Sequence, residues 1–280
     1  MLKFVLLIAV LWMPLVWAQT PLQVRFAPEK DYGPFIYQDE QGQIRGLSWD
    51  ILQAIAEPAA LQIQTLPASS LASILEMAKL GQIDLISSLR PTAERSEYLS
   101  FTYPYVAVPA VLIARDDGAA VDLFSLQGKS VAVGKGYAVE SFVQDKFPNI
   151  AWLAVNDDRE ALLLLKQGKV DALVADIASV IFIAKAEQYR QWRVVQNIGF
   201  QYQLSFAYPK GQVEIGQRLN QALLSMPLAQ REALLARWLN PEQIKDAIPY
   251  SLILKYSAAV LAGLALLCAL WLWRRRGSSA

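Results

Sequence analysis

Histidine is absent from the 280 residues, and cysteine occurs once, at Cys268. With no imidazole and a single thiol, the chain cannot build a Cys/His zinc site, a His-based catalytic triad or an internal disulfide. Excess charge of either sign is also missing. Lys and Arg number 26 against 25 Asp and Glu, for a formal net charge of +1, and the one basic run is Arg274-Arg275-Arg276. Nothing resembles the basic stripe that tracks a nucleic-acid backbone, so nucleic acid is excluded as a partner. The glycine-rich stretch Val133-Gly134-Lys135-Gly136-Tyr137 lacks the third glycine of a phosphate loop, and no cofactor or metal is expected.

What the chain does have is apolar ends. Residues 1–18 carry Lys3, an apolar stretch from Phe4 to Trp17 and the small-residue pattern Val16-Trp17-Ala18 before Gln19, which reads as a cleavable signal peptide. Near the other end, Tyr256 to Trp273 contains no charge. At 1.5 Å per residue it extends about 27 Å, enough to cross a hydrocarbon core. A single-pass transmembrane helix is expected over 252–273, with a cytoplasmic tail at 274–280. The arginines that follow the span put the C-terminus in the cytoplasm and residues 19–248 on the periplasmic side of the inner membrane.

Between these ends the periodicity alternates. LQVRFAP has strand spacing, Gln41-Gly42-Gln43 reads as a hairpin tip, and LSWDILQAIA has helical spacing up to Pro58. IQTL, a helix capped by Ser69 or Ser70 and ending at Gly81, and IDLISSL make a β-α-β unit. A second α/β unit follows: a short helix at Leu123–Leu126, SVAVGKG, a helix over 139–147, AWLAV, a helix over 157–167 and VDALVAD. The extended stretch Val106 to Arg115 leaves the first unit, LSFAY at 204–208 returns to it, and helices follow near 212–239. An α/β fold of two lobes with two hinge crossings is expected, the first lobe at about 22–108 and 205–245 and the second at about 109–204. Ligands of such sheets collect at the carboxyl ends of strands, which here would face one cleft.

The order and spacing of several short motifs carry a resemblance. They are Tyr32-Gly33-Pro34-Phe35; Gly42, Gly46 and Asp50; Gly81-Gln82-Ile83-Asp84; Ile86-Ser87-Ser88-Leu89 with Thr92-Ala93-Glu94-Arg95; Phe101-Thr102-Tyr103-Pro104-Tyr105; Leu126-Gln127-Gly128-Lys129; and Gly168-Lys169-Val170-Asp171-Ala172 leading to Asp176. From about residue 22 to 240 the chain resembles the periplasmic solute-binding proteins of the polar amino-acid type, bacterial solute-binding family 3. That resemblance implies a type II, Venus-flytrap fold that closes on its ligand. It implies further that Arg95 takes a ligand α-carboxylate, Asp176 an α-amino group, and that Tyr32 stacks on the ligand. Ser88 and Thr92 would supply hydroxyls to the carboxylate, and Glu29 stands where a cationic side chain can be met. Asp176 can equally be the N-cap of the helix starting at Ile177, and the two roles are compatible. Three departures bear on ligand identity: Arg90 replaces a serine, Leu71 replaces a second aromatic, and Tyr137-Ala138 replace a hydroxyl pair. Arg90 either faces the cleft, favouring an anionic ligand, or faces solvent.

The chemistry agrees with the resemblance. A guanidinium matches a carboxylate with two parallel charge-assisted hydrogen bonds, and an aspartate on the opposite lobe would let a zwitterion bridge the lobes. The expected function is non-enzymatic binding of an amino-acid-like solute by a membrane-anchored sensory input domain, with a signalling or permease partner. Two alternatives stand beside it: a tethered component of an ATP-driven importer, which permease and ATPase genes next to this one would favour, and a periplasmic dehydratase-like enzyme using Glu29 or Glu140 as general acid.

Overall fold

The structure, a computed structural model, describes residues 20–117 and 121–239. The expected signal peptide and the expected membrane helix lie outside the described residues. Among the described residues, no helix is long and apolar enough to cross a membrane.

The first lobe opens with β1 (Leu22–Ala27), followed by a small antiparallel flap of β2 (Asp31–Tyr32), β3 (Ile36–Gln38) and β4 (Ile44–Arg45). Helix α1 (Leu47–Ala56) buries Leu47, Ile51, Leu52 and Ile55, the stripe expected from its spacing. Next come β5 (Leu61–Thr65), α2 (Leu71–Lys79) and β6 (Leu85–Leu89). Ser70 is the N-cap of α2, its Oγ accepting from Ser73 N at 3.3 Å. All five residues of β6 are buried, as a strand covered on both faces must be. A short helix, α3 (Arg95–Tyr98), and β7 (Leu99–Phe101) precede the first crossing.

That crossing is β8 (Val106–Arg115), which leads into the second lobe: β9 (Ser130–Gly134), α4 (Ala138–Lys146), β10 (Ala151–Val155), α5 (Asp158–Lys166), β11 (Ala172–Asp176) and α6 (Ile177–Ala186). The chain returns along β12 (Trp192–Pro209) and ends in α7 (Val213–Ser225) and α8 (Leu228–Trp238). The strand order is β10-β9-β11-β8-β12-β6-β1-β5. Both hinge segments are therefore strands, paired antiparallel with Val106 opposite Leu204 and Ala107 opposite Gln203. Beyond that point β12 pairs with β6, so its 18 residues serve both lobes.

Two local expectations are corrected. The return crossing is not confined to LSFAY but is the end of a longer strand, whose register shifts between Val194 and Gln196 and between Asn197 and Gln201. Leu123–Leu126 forms turns rather than a helix. There Asp122 Oδ1 accepts from Ser125 N at 2.7 Å and Ser125 Oγ accepts from Asp122 N at 2.9 Å. Such side-chain bonds satisfy local backbone groups that a helix would need.

Candidate functional site

The carboxyl ends of β1, β6, β9 and β11 converge where the lobes meet. Glu29, Tyr32, Ser88, Arg90, Arg95 and Tyr137 all line one small cavity of about 20 Å³, completed by Leu71, Leu89, Ala138, Tyr202 and Leu204. Six of the eight residues singled out in the sequence thus share a cavity wall. Thr92 and Asp176 do not line it.

Arg95 is the first residue of α3 and is 3% exposed. Its Nη1 donates to Arg90 O at 2.7 Å, and its Nη2 crosses to the other lobe and donates to Gly136 O at 2.6 Å. Gly136 reaches that position with φ of 74°, a backbone conformation that favours glycine. Among the described residues Arg95 makes no ion pair. Desolvation lowers its pKa, although Tyr98 and Glu29 pull the other way.

Glu29, 7% exposed, accepts from Tyr137 Oη of the other lobe at 3.0 Å. Burial pushes its carboxyl up to about 8, against the opposing pull of Tyr137 and Arg95. The sign follows from proton counting. Native Glu29 holds a proton that the unfolded chain releases near 4.5, so its contribution to stability is lost as pH rises from there to about 8. Glu29→Gln, which keeps the acceptor for Tyr137, is expected to be the more stable protein at pH 8, by a margin on the order of 4 kcal/mol. Urea midpoints that fall equally with pH in both proteins would contradict this.

The aromatic residues hold the walls together. The Tyr32 and Tyr137 rings lie 5.7 Å apart across the lobes. Arg90 is half-buried at the cavity rim: its guanidinium sits 3.8 Å over the Phe200 ring and donates to the Gln201 carbonyl. Ser88, at φ of 58°, donates its hydroxyl to Ser48 Oγ at 2.8 Å, and its amide donates to Tyr105 Oη at 2.7 Å. Its hydroxyl is thus spent inside lobe 1. Thr92 Oγ1 accepts from Arg95 N at 3.2 Å and so helps set the turn into α3.

Asp176 is the N-cap of α6, with Oδ1 accepting from Ser179 N at 2.7 Å, while its buried Oδ2 has no hydrogen-bond partner. Desolvation raises its pKa to about 6 against the Ser179 amide, which holds it down. Sequence reasoning missed two neighbours. Tyr202 lies on the alternating, inward-facing set Phe200, Tyr202 and Leu204 of β12, a pattern that was legible. Asp158 hid in the pair Asp157-Asp158: Asp157 caps α5 through Glu160 N at 2.8 Å, and Asp158 is buried.

Further contacts close the cleft beside the cavity. Ser179 Oγ donates to Gly33 O at 3.0 Å, and Arg159 Nε reaches Asp31 Oδ2 at 2.6 Å. The ring of Phe182 lies so near Gly33 that a Cβ there would come within 2.2 Å of it.

The chain is similar in sequence and fold to several known proteins. The virulence sensor protein BvgS of Bordetella bronchiseptica is 25% identical over 224 residues, which are 79% of this chain and 18% of that protein. The chain therefore spans less than a fifth of that relative's length. The ABC transporter arginine-binding protein 1 of Escherichia coli is 27% identical over 159 residues, 56% of this chain and 65% of the relative. Among solved structures, a histidine kinase sensor domain with similarity to periplasmic binding proteins superposes with a TM-score of 0.74 at 20% identity, covering 80% of this chain and 98% of that one. The description of the bacterial extracellular solute-binding proteins, family 3, matches residues 24–241, and the chain belongs to that family.

Proposed function

We propose that this protein binds a small α-amino acid or a closely related organic acid between its lobes, without catalysis, as the extracytoplasmic input domain of a membrane-anchored sensor. The observation that carries the reading is Arg95: a guanidinium buried at the cavity whose side-chain partners are two backbone carbonyls and no carboxylate. A buried cation without a counter-charge is costly, and a ligand carboxylate would supply one. Glu29 and Asp176 offer acceptors for an ammonium group. Glu140, named as a possible general acid, has its Oε2 committed to Gly136 N at 2.6 Å.

The similarity to BvgS supports a sensory role. So does an aromatic contact chain: the Tyr37 ring of the flap lies 4.9 Å from Phe182 of lobe 2 and 6.2 Å from Trp238 at the end of α8. Trp238 is tied to lobe 1 by Nε1 donating to Asp50 Oδ2 at 2.8 Å. A change in lobe contact would then be felt next to the segment that leads toward the expected membrane helix at 252–273. The arginine-binding relative favours a second reading, a tethered binding component of an importer.

The test is a thermal-unfolding screen of the full chain in detergent micelles against L-amino acids, dipeptides and small organic acids. A compound at about 100 times its dissociation constant adds roughly 2.7 kcal/mol, a shift of several degrees. A shift with at least one α-amino acid is expected; no shift with any compound would sink the reading.

A further inference from the structure

The cavity is lined by two guanidinium groups and one carboxyl. Arg95 has a ligand carboxylate assigned to it above; Arg90, which stands where the resemblance implies a serine, has no partner yet. It follows directly on β6, and its side chain runs from lobe 1 to the lobe 2 side of the hinge. There the guanidinium lies 3.8 Å over the Phe200 ring of β12, and Nη1 donates to Gln201 O. Phe200 is itself held in place, 5.0 Å from the Phe142 ring and 5.2 Å from that of Tyr202. A guanidinium stacked on a buttressed ring keeps one orientation, which a freely mobile surface arginine does not. Among the described residues no carboxylate pairs with Arg90, and its Nε and Nη2 groups make no hydrogen bond. Desolvation lowers its pKa, and only Tyr202 pulls the other way.

The charge of the cavity follows from its lining. Arg90 and Arg95 bring two positive charges. Glu29 is the one carboxyl, and with burial holding its proton up to about 8 it does not offset them at neutral pH. The remaining walls are tyrosine, serine and aliphatic side chains. Cations partly withdrawn from water without a counter-charge are costly, and an incoming anion relieves that cost. A single α-carboxylate serves only one of the two. A basic side chain would have to enter against both. The arginines also share an anchor, because Arg95 Nη1 donates to the Arg90 carbonyl at 2.7 Å. At about 20 Å³ the cavity holds little more than one water, so a ligand enters as the lobes part; both arginines belong to lobe 1 and stay together as that happens.

We propose that the ligand carries two carboxylates, one for Arg95 and a second for Arg90, so that the amino-acid reading narrows to an acidic α-amino acid and Arg90 is the residue that sets this selectivity. Nε and Nη2 form one edge of the guanidinium, the fork that a carboxylate meets with two parallel bonds, and the Nη1 bond to Gln201 O can persist beside it. The α-amino part of this assignment rests on the amino-acid reading above; the second carboxylate does not.

The test is calorimetric titration of the full chain in micelles with two matched pairs, L-glutamate beside L-glutamine and L-aspartate beside L-asparagine, and with glutarate and succinate. Within each pair only a carboxylate is exchanged for its amide, so the ratio of affinities reports the second anion alone. At least one acid is expected to bind about tenfold to a hundredfold more tightly than its amide. That ratio should fall to about one in Arg90→Met, which keeps an unbranched stem but no charge, and to an intermediate value in Arg90→Lys, which keeps the charge without the fork. The wild-type ratio needs no variant, so a substitution that fails to fold does not shield the proposal. An amide bound as tightly as its acid, or a ratio unchanged in Arg90→Met, would overturn the second carboxylate and leave the amino-acid reading in place. Glutarate or succinate bound by the wild type and lost in Arg90→Met, with no amino acid bound, would contradict the amino-acid reading and support the two-guanidinium site. Binding of none of these compounds, while the thermal screen finds a neutral or basic amino acid, would overturn this proposal alone; silence in both experiments would overturn both.

Discussion

Arg95→Ala is expected to weaken the binding of an α-amino acid at least a hundredfold while leaving the fold intact. A carboxylate held by a guanidinium fork gains two charge-assisted bonds, each worth roughly 1.5 to 3 kcal/mol, and a tenfold change in affinity corresponds to about 1.4 kcal/mol. The fold should survive because the substitution removes a buried charge that makes no ion pair among the described residues. Arg90 O and Gly136 O, freed by the change, lie beside a cavity that can admit water. Arg95→Lys should fall between the two, keeping the charge but losing the planar fork. Calorimetric affinities beside far-UV circular dichroism check both statements, and a loss of tenfold or less for alanine would contradict the carboxylate assignment.

Gly33→Ala should impair closure of the lobes, and Phe182→Ala should restore it. The added methyl would sit 2.2 Å from Phe182 Cε1, and that ring is backed by Tyr37 at 4.9 Å, so it cannot simply swing aside. Moving Gly33 also strains the bond from Ser179 Oγ to its carbonyl. Overpacking of this kind costs about 1 to 3 kcal/mol, which would appear as a loss of up to about a hundredfold in ligand affinity. In the double variant the space left by the ring accommodates the methyl, so affinity should recover most of that loss, a coupling that independent sites do not show. Small-angle scattering gives a second readout, with a larger radius of gyration expected for Gly33→Ala alone. Equal affinities in the single and double variants would rule the contact out as a determinant of closure.

The parts of the fold that were legible in the sequence are those where one local signal had a single structural solution. The run ALVA of β11 is apolar on both faces because helices cover both sides of its sheet, and Ser70 and Asp176 cap helices as short polar residues before apolar runs should. The hinge was half legible. Val106 to Arg115 is an unbroken apolar run up to its last residue, whereas β12 is broken by Gln196, Asn197 and Gly199, and only its partner strand holds it extended. At the site, Arg95, Glu29, Tyr32 and Tyr137 were found by motif order and the structure brings them to one cavity. The directions of Ser88 and Thr92 were not legible, because a hydroxyl turns toward whichever donor or acceptor the tertiary structure provides. Asp158 escaped for a related reason: a doubled aspartate at a helix start looks the same whether its second carboxylate meets water or the buried end of a neighbouring helix.

The central claim, that the cleft clamps a ligand by its carboxylate and its ammonium, is tested most directly with matched compounds. The full chain would be titrated calorimetrically with each L-amino acid that shifts its melting temperature, with the amine that lacks its α-carboxylate and with the acid that lacks its α-amino group. Binding of the intact amino acid, with at least a hundredfold loss for each truncated partner, is the result expected from Arg95 on one side and Asp176 on the other. Equal binding of an amino acid and its decarboxylated amine would contradict it.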